Sequence, residues 1–133
     1  MRDNQPAVRD RAERMAARTG LPESLGVALD AIEDLKGQKV VVLDLRGLTD
    51  ATDFFVVASG TSDAHVRGMA ESVLEKLNRR GYRAHHIEGL TGGRWVLLDF
   101  VDFVVHLFHP ETRSFYQLER LWSDAPELLI SST

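Results

Sequence analysis

The chain has 133 residues, 44% of them hydrophobic and 27% charged, with 16 Lys and Arg against 20 Asp and Glu for a net charge of −4. This balance is that of one soluble globular domain and excludes bulk disorder. The absence of cysteine excludes a disulfide scaffold, a thiolate metal site, a cysteine nucleophile and a thiol redox motif.

Residues 1–20 are rich in Arg and Ala and are expected as a charged N-terminal extension; residues 21–133 form the domain. Leu21, Leu25, Ala28, Leu29, Ile32 and Leu35 recur at spacings of three and four, which predicts a helix over 22–36. Pro22 suits its first turn, and Gly37 suits the residue after its end. The β-branched run at 39–45 predicts a strand, Arg46 to Asp50 a turn, and residues 53–59 a second strand. Gly60-Thr61-Ser62 breaks that strand and opens a long helix reaching about Arg80. Its apolar stripe is Val66, Met69, Ala70, Val73, Leu74 and Leu77; Thr61 or Ser62 caps its start and Gly81 stops it. Three strands follow, at about 83–88, 94–100 and 102–109, with a turn from Gly89 to Gly93. Residues 113–122 are predicted as a last helix, followed by a short tail from Ser123. The order implies a single α/β domain, a mixed five-stranded sheet with helices against it.

Charge is uneven along the chain. Residues 1–20 carry five Arg and three acids, or +2, which leaves eleven bases and seventeen acids, or −6, for residues 21–133. Nucleic-acid affinity comes mainly from Lys and Arg on phosphates, so the domain suits a basic protein partner better than RNA. No apolar run approaches the ~20 residues that span a bilayer, and the charged N-terminus lacks a secretory block, so the expected location is the cytoplasm.

Side-chain alternation sorts the two last strands into faces. Trp95, Leu97 and Asp99 share one face; Val96, Leu98 and Phe100 share the other. In the next strand Phe103, Val105 and Leu107 oppose Val104, His106 and Phe108. Both faces are apolar and so both are covered, by helices or in part by another chain, for which Trp95 is the natural anchor. In the last helix, Phe115 and Leu118 read as core, whereas Tyr116 and Trp122 are open between core and interface.

Catalytic and metal patterns are weak. His85 and His86, like His106 and His109, point to opposite faces and make poor pairs for one ion. Asp99 and Asp102 flank a turn, where Asp is common for its own reasons. Gly60-Thr61-Ser62 resembles a phosphate-binding junction but lacks a Walker lysine and a GxGxxG spacing, and helix capping explains it. No catalytic residue, metal or cofactor is assigned. The residues favour a binding module over an enzyme.

Taken together, several segments resemble the ribosomal silencing factor family RsfS, also called iojap-like or YbeB. They are VVLDLRGLTDATDFFVVASGTSDAHV (41–66), WVLLDF (95–100), DFVVHLFHPETRSFYQLERLW (102–122) and DAPEL (124–128). The resemblance implies a nucleotidyltransferase-like fold without transferase activity. It implies a non-enzymatic repressor that binds the large ribosomal subunit at its intersubunit face, through the ribosomal protein of the fourteenth large-subunit family. Joining of the small subunit is then blocked sterically and translation repressed under nutrient limitation. The implied partner contacts are Trp95 and Tyr116, with Asp99, Leu97 and Trp122 in support. A homodimer in the free state is also implied, and the Arg-rich arm is free to touch rRNA. The alternative is a magnesium-dependent nucleotidyltransferase-like enzyme using Gly60–Ser62, Asp99 and Asp102.

Overall fold

Pro22, in extended conformation, precedes helix α1 (Glu23–Asp34), and its carbonyl accepts the Leu25 N–H at 3.1 Å. The computed structural model describes residues 20–112 and 125–130. Every residue of α1 from Ser24 to Ile32 is buried, so the helix is enclosed well beyond the single stripe read from its periodicity. It ends in a Schellman motif. The Gly37 N–H reaches the Ile32 carbonyl and the Lys36 N–H the Glu33 carbonyl, both at 2.9 Å. The residue in the left-handed region is Lys36 (φ 63), not Gly37. Gly37 serves a different need, because a Cβ there would lie 2.4 Å from Ile32 Cγ2.

Helix α2 (Asp63–Arg79) starts as expected. Ser62 is the cap, its hydroxyl accepting the His65 N–H at 3.0 Å. Its end repeats the Schellman pattern with the preferred residue: Gly81 takes φ 88, and the Tyr82 N–H reaches the Leu77 carbonyl at 2.9 Å.

The strands are β1 (Gln38–Asp44), β2 (Phe54–Ser59), β3 (His86–Glu88), β4 (Trp95–Asp99), β5 (Phe103–Phe108) and β6 (Glu127–Ile130). They form one mixed sheet in the order β3-β4-β5-β2-β1-β6, in which β2 and β5 run parallel and every other pair antiparallel. The sheet is thus six-stranded, not five-stranded. The extra strand comes from the expected tail, where Leu129 pairs with Val42 and Ile130 with Val41. The expected strand at 83–88 shrinks to three residues, all exposed. Its partner β4 ends at Asp99, opposite His86, so residues 83 and 84 have no strand to pair with. Residues 110–112 are helical, as Pro110 permits at a helix start; residues 113–122 lie outside the described residues.

One core fills the space between the sheet and both helices. Val40 and Val42, Phe54 and Val56, Val96 and Leu98, and Phe103, Val105 and Leu107 pack in it with Leu25, Leu29 and Ile32 of α1 and Val66, Met69 and Val73 of α2. The chain passes closely from β2 into α2 at Gly60, where a Cβ would lie 2.8 Å from Val66 Cγ2. The opposite sheet face carries smaller clusters: Val41, Leu43, Leu45 and Ala125, and then Val57 with Phe108, joined by Phe55 and Trp95. Among the described residues, no helical side chain belongs to those clusters.

Candidate functional site

The candidate site lies on that second face, where β4 and β5 form a hairpin. Their register places Trp95 opposite Phe108, Leu97 opposite His106 and Asp99 opposite Val104. Directly opposed residues share a face, so the alternation read from the sequence holds: Trp95, Leu97 and Asp99 point one way, together with Val104, His106 and Phe108. All six residues of β5 are buried, as a strand covered on both faces requires.

Trp95 is half-buried and stacks on Phe108, with centroids 5.0 Å apart and planes at 30°. Its indole Nε1–H donates to His106 Nδ1 at 3.1 Å. His106 also meets Phe55 of β2 edge-on at 4.6 Å. Among the described residues, four rings from three adjacent strands therefore form one aromatic layer, with His106 at its centre. His106 is only 4% exposed, and desolvation lowers its pKa from 6.5 to about 4. At neutral pH it is an uncharged acceptor for the indole. Its other nitrogen, Nε2, is buried with no hydrogen-bond partner among the described residues.

Leu97 is half-buried beside the layer, and Asp99 is half-buried at the end of β4. Asp99 also acts within its own turn, where its Oδ1 accepts the Val101 N–H at 2.8 Å and pins the tight connection between β4 and β5. In that turn the Asp102 N–H reaches back to the Phe100 carbonyl at 2.9 Å, and Val101 adopts φ 75. This is a γ-turn of the strained kind, and a β-branched residue at its apex is an outlier. Thr52 braces it, its hydroxyl donating to the Val101 carbonyl at 2.9 Å. Tyr116 and Trp122, the other two expected contacts, lie outside the described residues.

The rival junction at Gly60–Ser62 is occupied by the chain's own groups. The Thr61 N–H donates to His65 Nδ1 at 2.8 Å and the His65 N–H to Ser62 Oγ, while His65 Nε2 reaches the Leu35 carbonyl at 2.6 Å. His65 thus ties the start of α2 to the end of α1. The glycine is accounted for by the close passage at Val66. The capping reading is the one this geometry supports. Among the described residues, no three His, Asp or Glu side chains gather as a metal site would require.

The sequence pattern puts His106 on the Val104 and Phe108 face of its strand and makes it a poor metal ligand, but does not show its link to Trp95. Nor does it show Phe55 as the third wall of the layer. The available signal was the hairpin register, which the length of the Asp99–Phe103 turn sets.

The family model described as "Ribosomal silencing factor during starvation" matches residues 18–132. The chain belongs to the ribosomal silencing factor family. The family member from Halalkalibacterium halodurans, named ribosomal silencing factor RsfS, is 38% identical over 104 residues, covering 78% of this chain and 89% of that protein. The Bacillus subtilis protein of the same name is 37% identical over 102 residues, covering 77% of this chain and 86% of its own. A crystal structure of a Chromobacterium violaceum protein superposes with a TM-score of 0.74 at 39% identity, over 76% of this chain and 84% of that one. The resemblance drawn from the sequence motifs therefore holds, and the β4–β5 hairpin lies inside the span that matches the family.

Proposed function

We propose that this ribosomal silencing factor family member binds the large ribosomal subunit through the ribosomal protein of the fourteenth large-subunit family. It sits at the intersubunit face, blocks joining of the small subunit by steric exclusion and represses translation when nutrients are scarce. The observation that carries this reading is the half-buried row of Trp95, Leu97 and Asp99 on the sheet face that neither described helix covers. A tryptophan held at its edge by a hydrogen bond offers a large rigid surface, the kind that dominates binding at interfaces. Asp99 and the exposed Asp102 beside it suit a basic protein surface. Tyr116 and Trp122, in the segment whose motif resembles the family, would extend the contact. The free protein forms a homodimer, works in the cytoplasm and uses its Arg-rich N-terminal arm for minor rRNA contacts.

Subunit joining on a sucrose gradient is the decisive experiment. Added protein should shift ribosomes toward free subunits and co-migrate with the large one. Unchanged joining at saturating protein would defeat the proposal. Trp95→Ala should weaken large-subunit binding by about 30-fold, the equivalent of ~2 kcal/mol for a hot-spot tryptophan. Full retention of a folded Trp95→Ala/Tyr116→Ala double variant would remove the site from this face.

A further inference from the structure

We propose that His106 is a positioning residue for Trp95: its Nδ1 accepts the indole N–H and holds the ring in its binding pose before the partner arrives. The inference rests on the reading of Trp95 as a contact to the large subunit.

Trp95 and His106 are diagonal neighbours on one face of the β4–β5 hairpin, and the 3.1 Å hydrogen bond joins them. The acceptor is itself immobilised. His106 lies on β5, which is paired on both sides, and its ring is wedged edge-on against Phe55 and alongside Phe108. Trp95, by contrast, is half-exposed and on the strand next to the sheet edge. The hydrogen bond together with the Phe108 stack therefore transfers the rigidity of the central strand to a surface side chain.

The choice of residue at 106 supports this role. Because Nδ1 accepts, the proton sits on Nε2, and that N–H is buried with no partner among the described residues. A buried donor without a partner is unfavourable, and phenylalanine or leucine would fill the same space without one. Among the described residues, packing gives no reason for histidine here. What an apolar side chain could not do is accept the indole N–H. Ordering that indole in advance lowers the rotamer entropy lost on binding, which for one large side chain corresponds to about three- to tenfold in affinity.

The test has two parts, both on the full chain. In the isotopically labelled wild type, a scalar coupling between the Trp95 Nε1 and His106 Nδ1 nuclei should appear across the hydrogen bond; its absence overturns the proposal. Binding to purified large subunits is then titrated for His106→Phe, which keeps a ring but loses the acceptor, and for His106→Asn, whose Oδ1 lies near the Nδ1 position. His106→Phe should bind about three- to tenfold more weakly, with partial recovery in His106→Asn. The effect of His106→Phe should vanish in a Trp95→Phe background, where no N–H remains to be held. An equal loss in both backgrounds would mean that His106 is only a core residue. Normal binding by His106→Phe alongside weak binding by Trp95→Ala would overturn the positioning role and leave the docking site standing. Normal binding by Trp95→Ala would remove both.

Discussion

His106 should make the fold sensitive to mild acid. Its imidazole is almost fully buried, and desolvation lowers its pKa from 6.5 to about 4. Above about pH 6.5 the ring is neutral in both folded and unfolded chains and imposes no penalty. As pH falls below that value the unfolded chain takes up the proton first, so stability drops by up to ~1.4 kcal/mol per pH unit. The drop levels off near pH 4, where the folded protein protonates as well, after a total loss of about 3 kcal/mol. Protonation of Nδ1 would also set it against the Trp95 N–H, turning an acceptor into a second donor. Urea unfolding of wild type and His106→Phe, from about pH 7 to about pH 4, isolates this contribution from the carboxylates and the other histidines. The stability difference between the two proteins should shift by about 3 kcal/mol in favour of the variant across that interval. A difference that stays constant with pH would refute the burial argument.

The two helix ends form an internal comparison. Lys36 occupies the left-handed position that Gly81 occupies after α2, and it is exposed. Lys36→Gly should therefore raise stability by about 0.5–1 kcal/mol, the relief of left-handed strain less the extra entropy of the unfolded glycine, as measured by thermal or urea unfolding. A lower stability would mean that the lysine side chain contributes more than its backbone costs. Val101, at φ 75 and 57% exposed, should respond in the same direction. Val101→Gly should gain about 0.5–1 kcal/mol by the same unfolding measurement, since the turn is held by Asp99, Thr52 and backbone bonds that do not involve the valine side chain.

The elements most legible in the sequence were those whose pattern is intrinsic to one segment. The alternation in 95–99 and 103–108 carried both the strands and the face shared by Trp95, Leu97 and Asp99. The stripe in α2, with Ser62 before it and Gly81 after it, carried that helix with both ends. What escaped depends on partners. The pattern over 83–88 suggests a longer strand than forms, because nothing in those residues reveals that β4 stops at Asp99. The strand β6 is hidden in the sequence because four residues after a proline have too little pattern to reveal their pairing with β1. At the site, parity placed His106 on one face of its own strand. Only the register of Trp95 opposite Phe108 brings its Nδ1 to the indole, and the turn geometry sets that register. The position of Gly37 after a helix suggests a conformational choice, whereas it is a steric one forced by Ile32.

The parallel pairing of β2 with β5 has a consequence for how the molecule assembles. β1 with β2, and β3 through β5, are antiparallel units built from neighbours in the chain. The parallel seam joins Phe54 to Phe103 and Ser59 to Phe108 across nearly fifty residues. Loop-closure entropy makes such a pairing slow relative to the hairpins on either side. The β4–β5 hairpin can bring Trp95 beside Phe108 early, but Phe55 reaches His106 only across the seam. Completion of the aromatic layer therefore depends on the seam, because Phe55 backs His106, the acceptor of the Trp95 N–H, only where β2 and β5 are paired.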